Sequence, residues 1–248
     1  MILFFILMPI QPRKIGFIVF VLLFFVCLFF FRSISSRLAL GVDFIEKAHF
    51  NEDGSGQFSI EVDLTKTSSF ISVIKYLNKD YKYKGITQSI GYKAFNDAKE
   101  RFKKIADISD VFVRYNEEML SFELAFRFRT IQALNKAIRK INKGLAPPKI
   151  TYFSLDDGLF VRQDINGIAQ KVLFYQKYDN SLIKSLNLAS FFKETTYTTI
   201  YTFHKEVEDY SNPLSELTKD KKTIRITHYV FAPDQIEESI GNRVHFMK

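Results

Sequence analysis

The chain has 248 residues, 47% hydrophobic and 25% charged, with one cysteine and no tryptophan. A single cysteine excludes an intrachain disulfide and a zinc ribbon. The net charge of +8 invites a nucleic-acid partner, but four of the 35 basic residues and none of the 27 acidic ones fall in residues 1–37, which leaves 31 against 27 for the remainder, too dispersed for nucleic-acid binding.

The first element is the apolar run IGFIVFVLLFFVCLFFF, from Ile15 to Phe31, bounded by Arg13-Lys14 and Arg32. At about 1.5 Å per residue it reaches roughly 25 Å, enough for a short transmembrane helix and longer than most signal-peptide cores. The expectation is a signal-anchor in an N-terminal unit 1–37, single-pass, with residues after 37 on the extracytoplasmic side. Basic residues on both flanks make the charge rule indecisive, so the orientation rests on the segment's place near the start of the chain. The alternative is cleavage after Ser35, which would release a soluble periplasmic carrier. Cys27 follows Phe25-Val26 instead of a small residue and lacks a lipobox.

Residues 38–248 form the second unit, with a possible internal boundary at 146–149 around Pro147-Pro148. The stretch FNEDGSGQF, residues 50–58, raises a choice between an EF-hand loop and a hairpin tip. Asn51, Asp53, Ser55 and Gly56 fit the loop pattern, but the twelfth position is Val62, where calcium needs a bidentate carboxylate. Phe58, Ile60, Val62 and Leu64 alternate with polar residues, and Val42, Phe44, Ala48 and Phe50 do so less regularly, so a hairpin is favoured.

Thr65 then caps a helix with Phe70, Ile71, Ile74 and Leu77 on one face, and a second helix is expected over 89–105. A hairpin follows, from Val111, Val113 and Tyr115 to Phe122, Leu124, Phe126 and Phe128. Thr130 caps a third helix that ends near Gly144. Tyr152–Leu155 and Leu159–Arg162 flank Asp156-Asp157-Gly158 as a third hairpin. Beyond it come a strand over 171–178, a helix over 182–192, strands bearing Tyr197, Thr199, Tyr201 and Phe203 and then Ile224, Ile226, His228 and Val230, and a final edge strand from Val244. The order predicts an α+β fold in which the N-terminal transmembrane helix precedes an antiparallel sheet of hairpins with helices packed on one face.

Chemistry leaves few marks. His49, His204, His228 and His245 each lie in or beside a strand with no second ligand at metal spacing, and no HExxH, GxSxG or phosphate-cradling glycine loop is present. The carboxylate pairs Glu117-Glu118, Asp156-Asp157 and Glu237-Glu238 lie in turns. No cofactor, metal or catalytic residue is assigned. Aromatic content is the distinctive property, with 27 phenylalanines and 12 tyrosines. Tyr197, Tyr201 and Phe203 on one strand, with Phe122 and Phe126 on another, are the candidate apolar face for a ligand or partner, against the plainer reading of a phenylalanine-rich core.

FNEDGSGQFSIEVDL, FELAFRFRTIQALNKAI and TTYTTIYTFHKEV resemble uncharacterised exported, lipoprotein-like proteins of Bacteroidetes-type bacteria, which share an xDGSGxxxxxVDL hairpin and an FxFxxxxALN unit. The resemblance covers residues 40–247 and implies export without implying an activity. The combined expectation is a membrane-anchored envelope protein, a non-catalytic binding module or accessory subunit for a protein partner or a lipid. Its rival is an envelope hydrolase or transferase whose site is assembled from dispersed histidines and acids.

Overall fold

A computed structural model describes residues 40–69, 93–116, 120–141, 151–163, 192–231 and 240–248. Among these, eleven strands, two α-helices and a short 3-10 turn belong to the compact unit Leu40–Lys248. Strands β1 (Asp43–Phe50), β2 (Gly56–Asp63), β3 (Ile108–Asn116), β4 (Ser121–Phe128), β7 (Thr196–Phe203), β9 (Ser215–Leu217) and β10 (Thr223–Tyr229) form a seven-stranded sheet in the order β3-β4-β2-β1-β7-β10-β9. Strands β5 (Phe153–Asp156), β6 (Leu159–Arg162), β8 (Val207–Tyr210) and β11 (Asn242–Phe246) form a second sheet, β5-β6-β11-β8. Helices α1 (Lys93–Phe102) and α2 (Ile131–Ile141) complete the unit.

Strand periodicity sets the layers. On β1, the side chains of Phe44, Glu46, Ala48 and Phe50 share one face, and the parallel register with β7 places them beside Tyr197, Thr199, Tyr201 and Phe203. Phe58 of β2 and Phe126 and Phe128 of β4 continue this face. The second sheet packs on it. Phe160 of β6 lies 5.1 Å from Phe50 and 5.0 Å from Phe203, and Phe246 of β11 lies 5.0 Å from Phe203, ring centre to ring centre. Edge-on and tilted contacts of this kind add to the area that the rings bury.

The helices close the same core beside β4. Phe102 of α1 meets Phe126 edge-on at 5.2 Å, and Leu134, Ala137 and Ile138 of α2 are buried. Thr130 Oγ1 accepts the Ala133 amide at 3.2 Å, the expected N-cap of α2. The buried Asn135 then clamps the helix to β5: its Oδ1 accepts from the amides of Tyr152 and Phe153 at 2.8 and 2.9 Å, and its Nδ2 donates to the Phe153 carbonyl at 2.8 Å. The asparagine of the ALN motif is therefore a structural clip.

The FNEDGSGQF stretch is a hairpin tip. β1 and β2 pair antiparallel with Phe50 opposite Gly56, the Asp53 carboxylate accepts from the Ser55 amide and hydroxyl, and Gly54 takes φ 77°. At Gly56 the backbone approaches so closely that a Cβ would lie 1.9 Å from the His49 carbonyl oxygen.

The expected α+β layout is overturned. The main sheet is mixed, because β1 and β7 run parallel, and the layer on its buried face is chiefly a second sheet, with helix a minor component. Local periodicity reads strands but not the pairing of β1 with a partner some 150 residues away. The strand at the C-terminus, expected at an edge, lies between β6 and β8. The transmembrane helix expected over Ile15–Phe31 falls outside the described residues, and among those no helix is long and apolar enough to cross a membrane. The first helix is described only at its start, as the 3-10 turn Thr65–Thr67 and helical residues at 68–69. The elements expected over 171–178 and 182–192, apart from Phe192, which is described in a turn, and the boundary at 146–149 also lie outside the described residues.

Candidate functional site

Two polar features deserve comparison: a charged cluster inside the core and an open cleft at one end of the main sheet. The cluster is centred on Glu46, which occupies an inward position of β1 and is 2% exposed. Arg162, the last residue of β6 and 3% exposed, reaches it from the second sheet, with Nε 3.2 Å from Oε1 and Nη2 3.2 Å from Oε2. The phenols of Tyr201 and Tyr197 donate to Oε1 and Oε2, each at 2.5 Å. Arg162 Nε also lies 3.1 Å from the Tyr201 hydroxyl, Nη1 donates to the Gln163 carbonyl, and the guanidinium sits 4.9 Å above the Phe153 ring.

The electrostatics follow from this geometry. Burial by itself raises the pKa of Glu46, but Arg162 and the donated hydrogen bonds outweigh it and hold the carboxyl below its ordinary range. Burial and the adjacent carboxylate together push both tyrosines well above the usual phenol value. At neutral pH the group is a carboxylate, a guanidinium and two neutral phenols, with each oxygen of Glu46 taking two donors. Such a set joins two sheets. Its polar capacity is directed inward, which is the arrangement that lets a buried ion pair persist.

The residues of the candidate aromatic face lie on this same interior. Tyr197 and Tyr201 hold Glu46, Phe203 and Phe126 pack in the central core, and Phe122 stacks on Tyr115 at 4.7 Å and meets Phe95 at 5.9 Å. β7 and β4, which carry them, are separated by β1 and β2 in the sheet. The histidines are dispersed: His49 and His245 point outward and are exposed, His204 follows β7, and His228 is buried on β10 against Tyr197. Among the described residues no three His, Cys, Asp or Glu side chains come together as a metal-binding group.

The cleft has a volume of about 620 Å³ and lies where the β1–β2 hairpin, β4 and the start of β3 meet. Arg127, Arg129, Asp107, Gln57, Ser109, Ser55 and Asn51 provide its polar lining, with Ile108 and Phe128 among the apolar residues beside them. Gln57, Arg127 and Ser109 are consecutive cross-strand neighbours. Both sides are firmly held. Asn51 accepts the Gly54 amide and donates to Ser55, while the Arg129 amide donates to the Asp107 carbonyl at 2.9 Å just before the capped start of α2. Asp107 takes φ 67°, which turns that carbonyl back toward β4. Arg127 contacts Asp110 at 3.4 Å, with both side chains more than 60% exposed. Among the described residues Arg129 forms no ion pair.

Sequence reading misses Glu46, Arg162 and the two arginines of the cleft. The first two had a signal: each is a lone charge on an otherwise inward-facing row, Phe44-x-Glu46-x-Ala48 and Phe160-x-Arg162. The cleft had none, since it depends on which strands become neighbours.

No family model matches the chain, and no curated protein does. Among solved structures, the folded domain of LppM from Mycobacterium tuberculosis, determined by NMR, is similar with a TM-score of 0.41 at 6% identity, over 84% of this chain and 91% of that one. Likeness at this level carries no statement about ligand or activity. The resemblance to Bacteroidetes-type exported proteins thus rests on its motifs.

Proposed function

We propose that residues 40–248 are a non-catalytic binding module of the cell envelope that receives a protein partner at the cleft beside the β1–β2 hairpin. In this reading the apolar run between Arg13-Lys14 and Arg32 holds the chain at the membrane, with the module on the extracytoplasmic side.

The observation that carries the reading is the distribution of polar groups between the two features. Glu46, Arg162, Tyr197 and Tyr201 would be the natural parts of an acid–base site, but they are buried and bonded to one another, leaving no face toward a substrate. The aromatic residues that a lipid chain would need are likewise occupied by the protein's own packing. The cleft beside the β1–β2 hairpin is open to solvent, polar and bears arginines, a composition suited to protein contact.

The test is the native mass of the full-length chain gently extracted from its own membranes. A stoichiometric protein companion, lost when Arg127 and Arg129 are both replaced by Gln, is the expected result. A chain carrying lipid and no protein would overturn the choice of partner. A hydrolase or transferase activity lost in folded His204→Ala or His228→Ala would overturn the non-catalytic assignment.

A further inference from the structure

We infer that the cleft takes an extended, acidic segment of the partner, with two carboxylates placed two residues apart, one on Arg127 and one on Arg129. The inference rests on the reading of the cleft as the partner site and names the chemistry of what enters it.

Three observations converge. Arg127, near the end of β4, and Arg129, in the bend that follows it, flank the buried Phe128, and both are exposed. An extended partner segment turns its alternate side chains to one side about 6.8 Å apart, so residues i and i+2 of the partner come within reach of the two long arginine side chains. Second, the guanidiniums are available to carboxylates. Arg127 already holds one, from Asp110, through a single long contact between two exposed side chains, an arrangement of small net worth that an incoming bidentate carboxylate can displace. Among the described residues Arg129 has no such partner, and its backbone is fixed by Asp107 and by the start of α2. Third, hydrogen-bonding groups for an extended main chain border the arginines on both sides, with Gln57 and Ser109 directly across from Arg127 and β3 at the edge of the sheet. Asp107, also on the wall, sets a limit on the acidity tolerated next to Arg129.

Calorimetry on the full-length chain in detergent tests this, with an end-capped Gly-Glu-Gly-Glu-Gly peptide as the probe and its Gln-for-Glu counterpart as control. The Glu peptide is expected to bind at least roughly tenfold more tightly than the control, and Arg127→Gln and Arg129→Gln each to weaken it roughly tenfold. Asp110→Asn, tolerable at φ 50° because Asn adopts that conformation as readily as Asp, is expected to tighten binding by freeing Arg127. Equal binding of both peptides, or an unchanged affinity in Arg129→Gln, would overturn the inference. So would displacement by inorganic phosphate at the peptide's own concentration, which would make the cleft a small-anion site. If the native mass shows a companion and the peptide fails, the binding module stands and the acidic segment falls. If the peptide binds and no companion is found, the choice of partner falls.

Discussion

Arg162 and Arg127 are the same side chain under opposite conditions. Arg162 is 3% exposed, spans two sheets and has its donors spent on Glu46, Tyr201 and a carbonyl, whereas Arg127 is 63% exposed and touches one carboxylate at 3.4 Å. Burial separates their roles. Inside, each charge must be matched by a partner of fixed geometry, and the pair becomes part of the fold; outside, solvent screens the contact and leaves the guanidinium free to exchange partners. One arginine is therefore expected to report on stability and, under the proposed function, the other on binding, and the comparison is broken by any variant that mixes the two effects.

The largest effect is expected at the buried pair. Glu46→Ala leaves Arg162 charged and unmatched and should cost about 3–5 kcal/mol, read from the urea midpoint. Replacing both partners, Glu46→Leu with Arg162→Met, should restore much of that loss, because the penalty lies in the orphaned charge more than in the missing attraction. A double variant as unstable as the single one would show that the pair contributes more than mutual neutralisation.

The same pair gives the stability a pH dependence of definite sign. The Glu46 carboxyl titrates below its ordinary 4.5 in the folded chain, so its contribution is complete above that value and is lost as pH falls through the lower folded one. Tyr197 and Tyr201 titrate above 10 in the folded chain, so their contribution is present below pH 10 and declines as pH rises beyond it. Urea midpoints measured from pH 2 to pH 11 should therefore fall at both ends. In Glu46→Gln the acid-side loss should be reduced, and an unaltered acid limb would assign it to other groups.

At the cleft the wall is expected to matter more than its arginines for stability. Gly56→Ala would bring a Cβ to 1.9 Å from the His49 carbonyl oxygen and 2.7 Å from the Phe128 ring, so the hairpin end must shift, at a cost of about 1–3 kcal/mol. Arg129→Gln should change stability by less than about 0.5 kcal/mol. If thermal unfolding showed the two costs reversed, Arg129 would belong to the fold and the contrast with Arg162 would fail.

How much of this was legible in the sequence depended on the range of the interaction. The DGSG hairpin, the Thr130 cap and the 153–162 hairpin are set by neighbours a few residues away, so period and turn chemistry located them. Pairing of β1 with β7, insertion of β11 between β6 and β8 and the meeting of Glu46 with Arg162 join residues far apart in the chain, and no local period encodes them. The imperfect alternation of β1 was nonetheless informative. Its irregular position is Glu46, and a charge on a buried row implies an opposite charge supplied from elsewhere in the fold.

The smallest effect sharpens the comparison from within the core. Among the described residues, the buried hydroxyls of Tyr152 and Thr199 have no hydrogen-bond partner, although the Arg162 guanidinium lies 5.9 Å from the centre of the Tyr152 ring and Thr199 is paired in register with Glu46. Proximity to the cluster is thus not membership of it. A buried hydroxyl that makes no bond carries its desolvation cost uncompensated, so Tyr152→Phe and Thr199→Val should leave stability unchanged or raise it by up to about 1 kcal/mol. Tyr197→Phe and Tyr201→Phe, which each remove a donor to a buried carboxylate, should instead lower it by about 1.5–3 kcal/mol. The four conservative changes compared by urea midpoint divide the polar groups near Glu46 by whether they donate to it. Equal losses at all four would mean that the interior responds to packing alone.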